Sequence, residues 1–487
     1  MPDLSTRAQP PLEFVAPDFN PFVLRGAQAL IPLWFRNNDI TAVEADNVEV
    51  LAHLYQQFQA GKTRFMLAFR HPGTKDPPCM CHLLWHILPQ VAKQQGIALK
   101  APVHAHFIYD RGIPIWAGKT TGWLISKLGG TPILRGKFDR EGLRSARNLF
   151  AKGEFPLAAA PEGGTNGHNQ IISPLEPGIA QFGFWCVEDL LKANRTEQVV
   201  IVPVGIQYQY TTPPWQALTE LLTTLEADSG LTTPVSESQL PDISLNPFTQ
   251  GMTPQVMRLY QRLYRLAEHL LSLMEEFYTE FYRCSLPKVT DQATASSGGD
   301  QDPSKVAAID PNQVLSARLE ALMNVALQVA EEYFGLQPKG GIIDRCRRLE
   351  QAGWDCIYRE DMKQGDLSEV ERGLADLVAE EANLRMWHMR IAESFVAVTG
   401  RYVMEHPTAD RFAETLILLW QMVTRIKGKG INPRPQLGKQ AARITIGQPL
   451  SVSERWAEYK SGRRGAVANL TQDLRTAMEA MLVSSCS

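Results

Sequence analysis

RFMLAFRHPGTKDP, residues 64–77, runs from a short β-rich segment into a Pro/Gly turn that carries one histidine and one aspartate. Similar β-rich runs recur downstream as VHAHFIY (103–109), TPIL (131–134), FPLAAA (155–160) and QVVIVPVGIQY (198–208). Helical stretches fill the gaps, at 79–93, 117–128, 140–151 and 178–193. The third of these opens at Asp139 and sets Leu143, Ala146, Leu149 and Phe150 at helical spacing. Strands alternating with helices predict an α/β domain, a central sheet flanked by helices on both faces.

Outward from this region the texture changes. TTPPW (211–215) breaks the pattern, residues 228–254 read as a Ser/Thr/Pro-rich loop, and 289–305 have the composition of a disordered linker. Long helices are expected at 257–282, 312–333, 367–404 and 411–427, where ETLILLWQMV (414–423), Trp387 and His388 read as core packing. ARITIGQPLSV (442–452) then returns to β-rich sequence, followed by an amphipathic helix at 466–482. A lone strand leaves its backbone groups unpaired, so this one is expected to complete the earlier sheet. The resulting division is an N-terminal arm (1–60), a first α/β part (61–213), a large helical insertion (214–439) with a disordered linker near 287–310, and a closing strand and helix (440–487). Within the arm, PFVLRGAQALIPLWFR (21–36) is amphipathic and fits either a membrane interface or a helix packed on the domain.

A chain of 487 residues, 44% hydrophobic, is expected to form two or three packed units. Lys and Arg total 49 against 52 Asp and Glu, a net charge of −3. That balance excludes a wholly disordered chain and a strongly basic nucleic-acid binder, so no nucleic-acid partner is expected. Ten His and seven Cys, scattered, do not make a disulfide scaffold and fit a reducing, cytoplasmic compartment. The opening MPDLSTRAQPPLEF carries no apolar signal core, and no run reaches the ~18 apolar residues of a membrane span. Neither export nor a spanning segment is expected.

The chemistry concentrates at strand ends. His71 and Asp76 are separated by four residues, and a turn through Pro72 and Gly73 can fold the carboxylate back onto the imidazole. A histidine held in one tautomer by an aspartate is a competent general base. GGTPILR ends a strand at Arg135, a fixed charge suited to phosphate. AAAPEGGTNG ends another at Pro161 and Glu162, before Gly163, Gly164 and Thr165, where backbone N–H groups can face an anion or a developing oxyanion. A rival constellation is metal: six of the ten His lie between 53 and 106, and Cys79, Cys81, His82 and His86 fall within eight residues. The cluster lacks both the HExxH pattern and CxxC spacing, so no metal is expected there.

HPGTKD, GGTPILR, APEGGT followed by LEPGIAQFG, and IVPVGIQY resemble, in order and spacing, the four blocks of the glycerolipid acyltransferases, which include lysophosphatidate acyltransferase. The late ITIGQPL resembles the strand that closes that fold. The resemblance implies a donor acyl thioester on acyl carrier protein or coenzyme A and a lysophospholipid acceptor, foremost 1-acylglycerol-3-phosphate, giving phosphatidate. It implies His71 as the base, Asp76 as its orienting partner, and Arg135 with the Glu162–Thr165 turn as the glycerol phosphate site. No cofactor is implied, and the chain would work peripherally at a membrane surface. Two departures stand out: Arg70 occupies the place where many members carry Asn, and PEGGTN replaces PEGT followed by Arg. Arg70 and Lys75 are the other cations near the blocks that could take the missing arginine's place. The alternatives are a zinc-dependent hydrolase using the His/Cys cluster within 71–106, and a catalytically inactive lipid-binding relative.

Overall fold

Strand β2 (Thr63–Phe69) is buried at every residue because it lies inside an eight-stranded sheet, with helices over both faces. The computed structural model describes residues 7–134, 139–231, 252–286, 311–363, 367–395, 401–431 and 433–482. The other strands are β1 (Ile40–Asp46), β3 (His106–Asp110), β4 (Thr131–Ile133), β5 (Leu157–Ala159), β6 (Gln198–Tyr210), β7 (Gln440–Ile446) and β8 (Leu450–Ser451). Their order is β1-β7-β6-β2-β5-β3-β4, with β8 beside β6. All neighbours are parallel except β6 with β7 and with β8. The sheet is therefore mixed, mostly parallel, and flanked by helices.

Side chains alternate between two cores, as the period of a strand requires. Phe65, Leu67 and Phe69 of β2 point into one core with Val202, Val204 and Ile444, beneath the helices Pro21–Asn37 and Val48–Gln59. Met66 and Ala68 point into the other, with Leu157 and Ile201, beneath the helices Gly178–Lys192 and Arg463–Glu479. Phe69 lies opposite Val204, so β6 continues past the end of β2 toward Tyr208. That overrun matters for the site.

The chain divides into two compact units, one holding residues 12–212 and 438–482, the other residues 7–11 and 213–437. This differs from an arm ending at residue 60. β1 and the helix Val48–Gln59 belong to the sheet unit, because β1 pairs with β7 and Leu51, Ala52 and Tyr55 fill the core. Residues 7–11 go with the helical unit, where Gln9 bridges Tyr358. The chain leaves β6 and returns in β7 at adjacent points: Thr211 N donates to Lys439 O at 2.9 Å, next to the Tyr210–Gln440 pair. The helical unit thus occupies the connection of an antiparallel strand pair.

That unit contains the helices Trp215–Asp228, Pro254–Phe281, Pro311–Phe334, Ile342–Ile357, Glu369–Phe395 and Ala409–Ile426. Leu416, Leu419, Met422 and Val423 are buried, and buried His388 accepts from the Tyr278 hydroxyl at 2.7 Å if its Nδ1 is unprotonated. The linker expected near 287–310 lies outside the described residues. Among those described, no helix is long and apolar enough to cross a membrane.

Candidate active site

Strands β2, β3, β4, β5 and β6 run parallel, so their carboxyl ends share one edge of the sheet, where ligands sit in open α/β sheets. His71 follows β2 directly. Its Nδ1 lies 2.8 Å from Asp76 Oδ2. Asp76 opens the helix Asp76–His82, and Gly73 N donates to the same carboxylate oxygen at 2.9 Å, which closes the turn through Pro72 and Gly73. The other oxygen, Oδ1, accepts from the Tyr208 hydroxyl at 2.5 Å. Asp76 is fully buried while the His71 side chain keeps 21% exposure. With its Nδ1–H committed to the carboxylate, the imidazole presents the Nε2 lone pair, to which no group among the described residues bonds.

Tyr208 was not legible as a site residue. It stands on the part of β6 that outruns β2, and burial, then the neighbouring Asp76 and Cys79, push its phenol well above the ordinary range. It stays neutral and donates. Its hydroxyl also lies 3.6 Å from the Cys79 sulfur, whose thiol burial pushes up to about 12.

Glu162 has a different part from the one expected. It is buried, and its Oε1 accepts from His71 N at 3.0 Å and from Arg70 Nε at 3.3 Å. Its Oε2 accepts from Asn166 Nδ2 and from Ser173 N, both at 3.0 Å. A carboxylate with both oxygens so engaged positions the His71 backbone; it does not face a phosphate. Arg70 is likewise withdrawn from any phosphate role. Fully buried, it donates to Asn169 O (2.5 Å), His168 O (3.2 Å) and Ile171 O (2.7 Å), pinning the segment after the glycine turn. Lys75 reaches Gln440 Oε1 at 3.2 Å.

The turn itself lies beside the histidine, since Gly167 N donates to Pro72 O at 3.1 Å. Gly163 has φ +71, a conformation that glycine adopts without strain. Gly164 is half-buried and Thr165 exposed, and among the described residues their backbone N–H groups take no acceptor. Asn166 braces the turn from within, through Glu162, Ile171 O at 2.6 Å and Ser173. Arg135 lies outside the described residues. The chain just before it is anchored: Asp139 accepts from Leu134 N at 2.8 Å, from Arg111 at 2.5 Å and from Gly142 N at 3.0 Å, capping the helix Arg140–Lys152.

No family model and no curated protein matches this chain. The rival His/Cys cluster does not assemble. His82 and His86 have ring centroids 4.9 Å apart, yet among the described residues no three His, Cys, Asp or Glu side chains converge as a metal site. Burial, then His86, pushes His82 down to about 4. Burial pushes the thiols of Cys79 and Cys81 upward.

Proposed function

We propose that this chain is an O-acyltransferase that moves a fatty acyl group from an acyl thioester to the hydroxyl of a lysophospholipid, foremost 1-acylglycerol-3-phosphate. The observation that carries the reading is the His71–Asp76 pair, locked by Gly73 and Tyr208 with Nε2 left accessible at the carboxyl edge of the sheet. His71 Nε2 takes the proton of the acceptor hydroxyl as its oxygen attacks the thioester carbonyl. The tetrahedral oxyanion collapses, the C–S bond breaks, and the imidazolium returns its proton to the departing thiolate. Asp76 keeps the tautomer and offsets the imidazolium charge. The free N–H groups of Gly164 and Thr165 suit an oxyanion or phosphate, and Arg135 supplies the fixed charge for phosphate.

A membrane-surface location is supported by the helix Pro21–Asn37. Leu24, Ile31 and Phe35 are buried in the sheet unit, while Phe22, Leu30 and Leu33 remain 76%, 62% and 54% exposed. The adjoining helix Lys119–Lys127 exposes Trp123, and Asn20 N donates to Lys127 O between them. These exposed apolar residues, with exposed Arg25 and Lys119 on the same two helices, suit an anionic lipid interface.

The test is release of free thiol from acyl-coenzyme A and from acyl carrier protein, each with a panel of acceptors. Thiol release that requires a lysophospholipid and is fastest with 1-acylglycerol-3-phosphate supports the reading. Release into water with no acceptor dependence makes the chain a thioesterase, and release with neither donor removes the reading.

A further inference from the structure

The helical unit contains an apolar cavity with about 1050 Å³ of atom-free space, open solvent at its mouth included. The helix Pro254–Phe281 lines it with Tyr260, Leu263, Ala267, Leu270 and Met274, one stripe at spacings of three and four. The helix Pro311–Phe334 lines it in the same way from Asn312 to Ala326. Each stripe covers fourteen residue steps, about 21 Å at 1.5 Å per residue. Leu418, Leu419 and Met422 of the helix Ala409–Ile426 add to the wall.

The lining has a polarity gradient. Among the described residues no charged side chain lines the cavity. Its uncharged polar groups gather toward the low-numbered ends of the two long helices. There the Tyr260 hydroxyl donates to Asn312 Oδ1 at 2.8 Å, and the exposed Tyr264 hydroxyl donates to Pro311 O at 3.2 Å. Beyond them toward Met274 and Ala326 the wall is hydrocarbon and thioether, with too few polar partners to hold water. An uncharged lining about 21 Å long, polar toward one end and apolar toward the other, suits an amphiphile with one extended tail.

We propose that this cavity is a binding site for a single unbranched long-chain fatty acyl group, its methyl end toward Met274 and Ala326 and its carbonyl end near Tyr260 and Asn312. The site lies wholly in the helical unit, and its occupancy is read by binding without turnover, so its failure and the failure of the transfer reading are distinguishable.

The full chain, delipidated, is titrated with the fluorescent fatty acid cis-parinaric acid, and the bound probe is then displaced with saturated fatty acids of increasing length. Saturable binding is expected, with affinity rising up to roughly tenfold for each two added methylenes until the cavity is filled. Ala267→Phe and Leu319→Trp, which place a ring in the cavity, should each weaken probe binding at least tenfold without lowering the thermal midpoint. Palmitate and 1-palmitoyl lysophosphatidate carry the same chain, so displacement by either supports the site. Unsaturable binding, affinity independent of chain length, or displacement only by a branched isoprenoid alcohol would overturn it. The length series is read on the parent chain, so a variant that fails to fold does not shelter the proposal.

Discussion

At the scale of single residues, the site depends on what holds Asp76. Its Oδ2 serves His71 and Gly73, while its Oδ1 has the Tyr208 hydroxyl, 132 positions away in sequence. Tyr208→Phe removes that one charge-assisted bond and leaves the turn closed. Turnover should fall roughly tenfold with acceptor KM little changed; unaltered turnover would show that Tyr208 only packs. A second residue makes the fold sensitive to acid. Buried His104 is neutral and doubly used: Trp85 Nε1 donates to its Nδ1 at 3.1 Å, and its Nε2 lies 2.8 Å from Leu128 O. Burial is the main cause that pushes its pKa down to about 4 from 6.5. Between those values the unfolded chain binds a proton that the folded chain refuses, so its contribution to stability is complete above about pH 6.5 and shrinks as pH falls toward 4. His104→Gln should flatten the dependence of the urea midpoint on pH in that window, and an unchanged slope would assign the acid sensitivity elsewhere.

At the scale of elements, the strands that the sequence made legible are those with short apolar runs ended by Gly or Pro. β2, β5 and β6 are buried for nearly their whole length and read plainly. β1, ITAVEAD, did not: an edge strand with exposed Thr41, Ala42 and Glu44 lacks the apolar run, and only its pairing with β7 makes it a strand. The helix Ile342–Ile357 is not among the helices the sequence predicts, because its buried stripe is sparse in apolar residues, Cys346, Leu349 and Ile357, and includes Arg345, which pairs with Glu331 at 2.8 Å in the interior. At the site, His71 and Asp76 were readable because their geometry is local. The roles of Tyr208, Arg70 and Glu162 were not, because register and long-range pairing create them. The helix Pro21–Asn37 carries its own prediction. Leu30→Glu with Leu33→Glu alters only the exposed face, so folding should persist while flotation with anionic liposomes drops severalfold. Flotation equal to the parent would place membrane contact on another surface.

At the scale of the whole molecule, β7 lies between β1 and β6, so the α/β unit needs chain from both sides of the helical unit. Cutting at residue 430 should leave an aggregating fragment. Replacing residues 214–436 with a short Gly/Ser turn should leave a soluble, cooperatively unfolding sheet unit, because Thr211 and Lys439 are already hydrogen-bonded at 2.9 Å. A soluble, cooperative 1–430 fragment would contradict the role given to β7. The proposed acyl transfer rests on one proton transfer at the carboxyl edge of that sheet. It is tested most directly by quantifying phosphatidate by mass spectrometry, with acyl thioester and 1-acylglycerol-3-phosphate supplied, for the parent chain and His71→Ala at matched folding. Formation of phosphatidate by the parent and its loss by ~10²–10⁴-fold in the variant is the expected result, whereas no phosphatidate from the parent, or a variant within threefold of it, would contradict general-base transfer at His71.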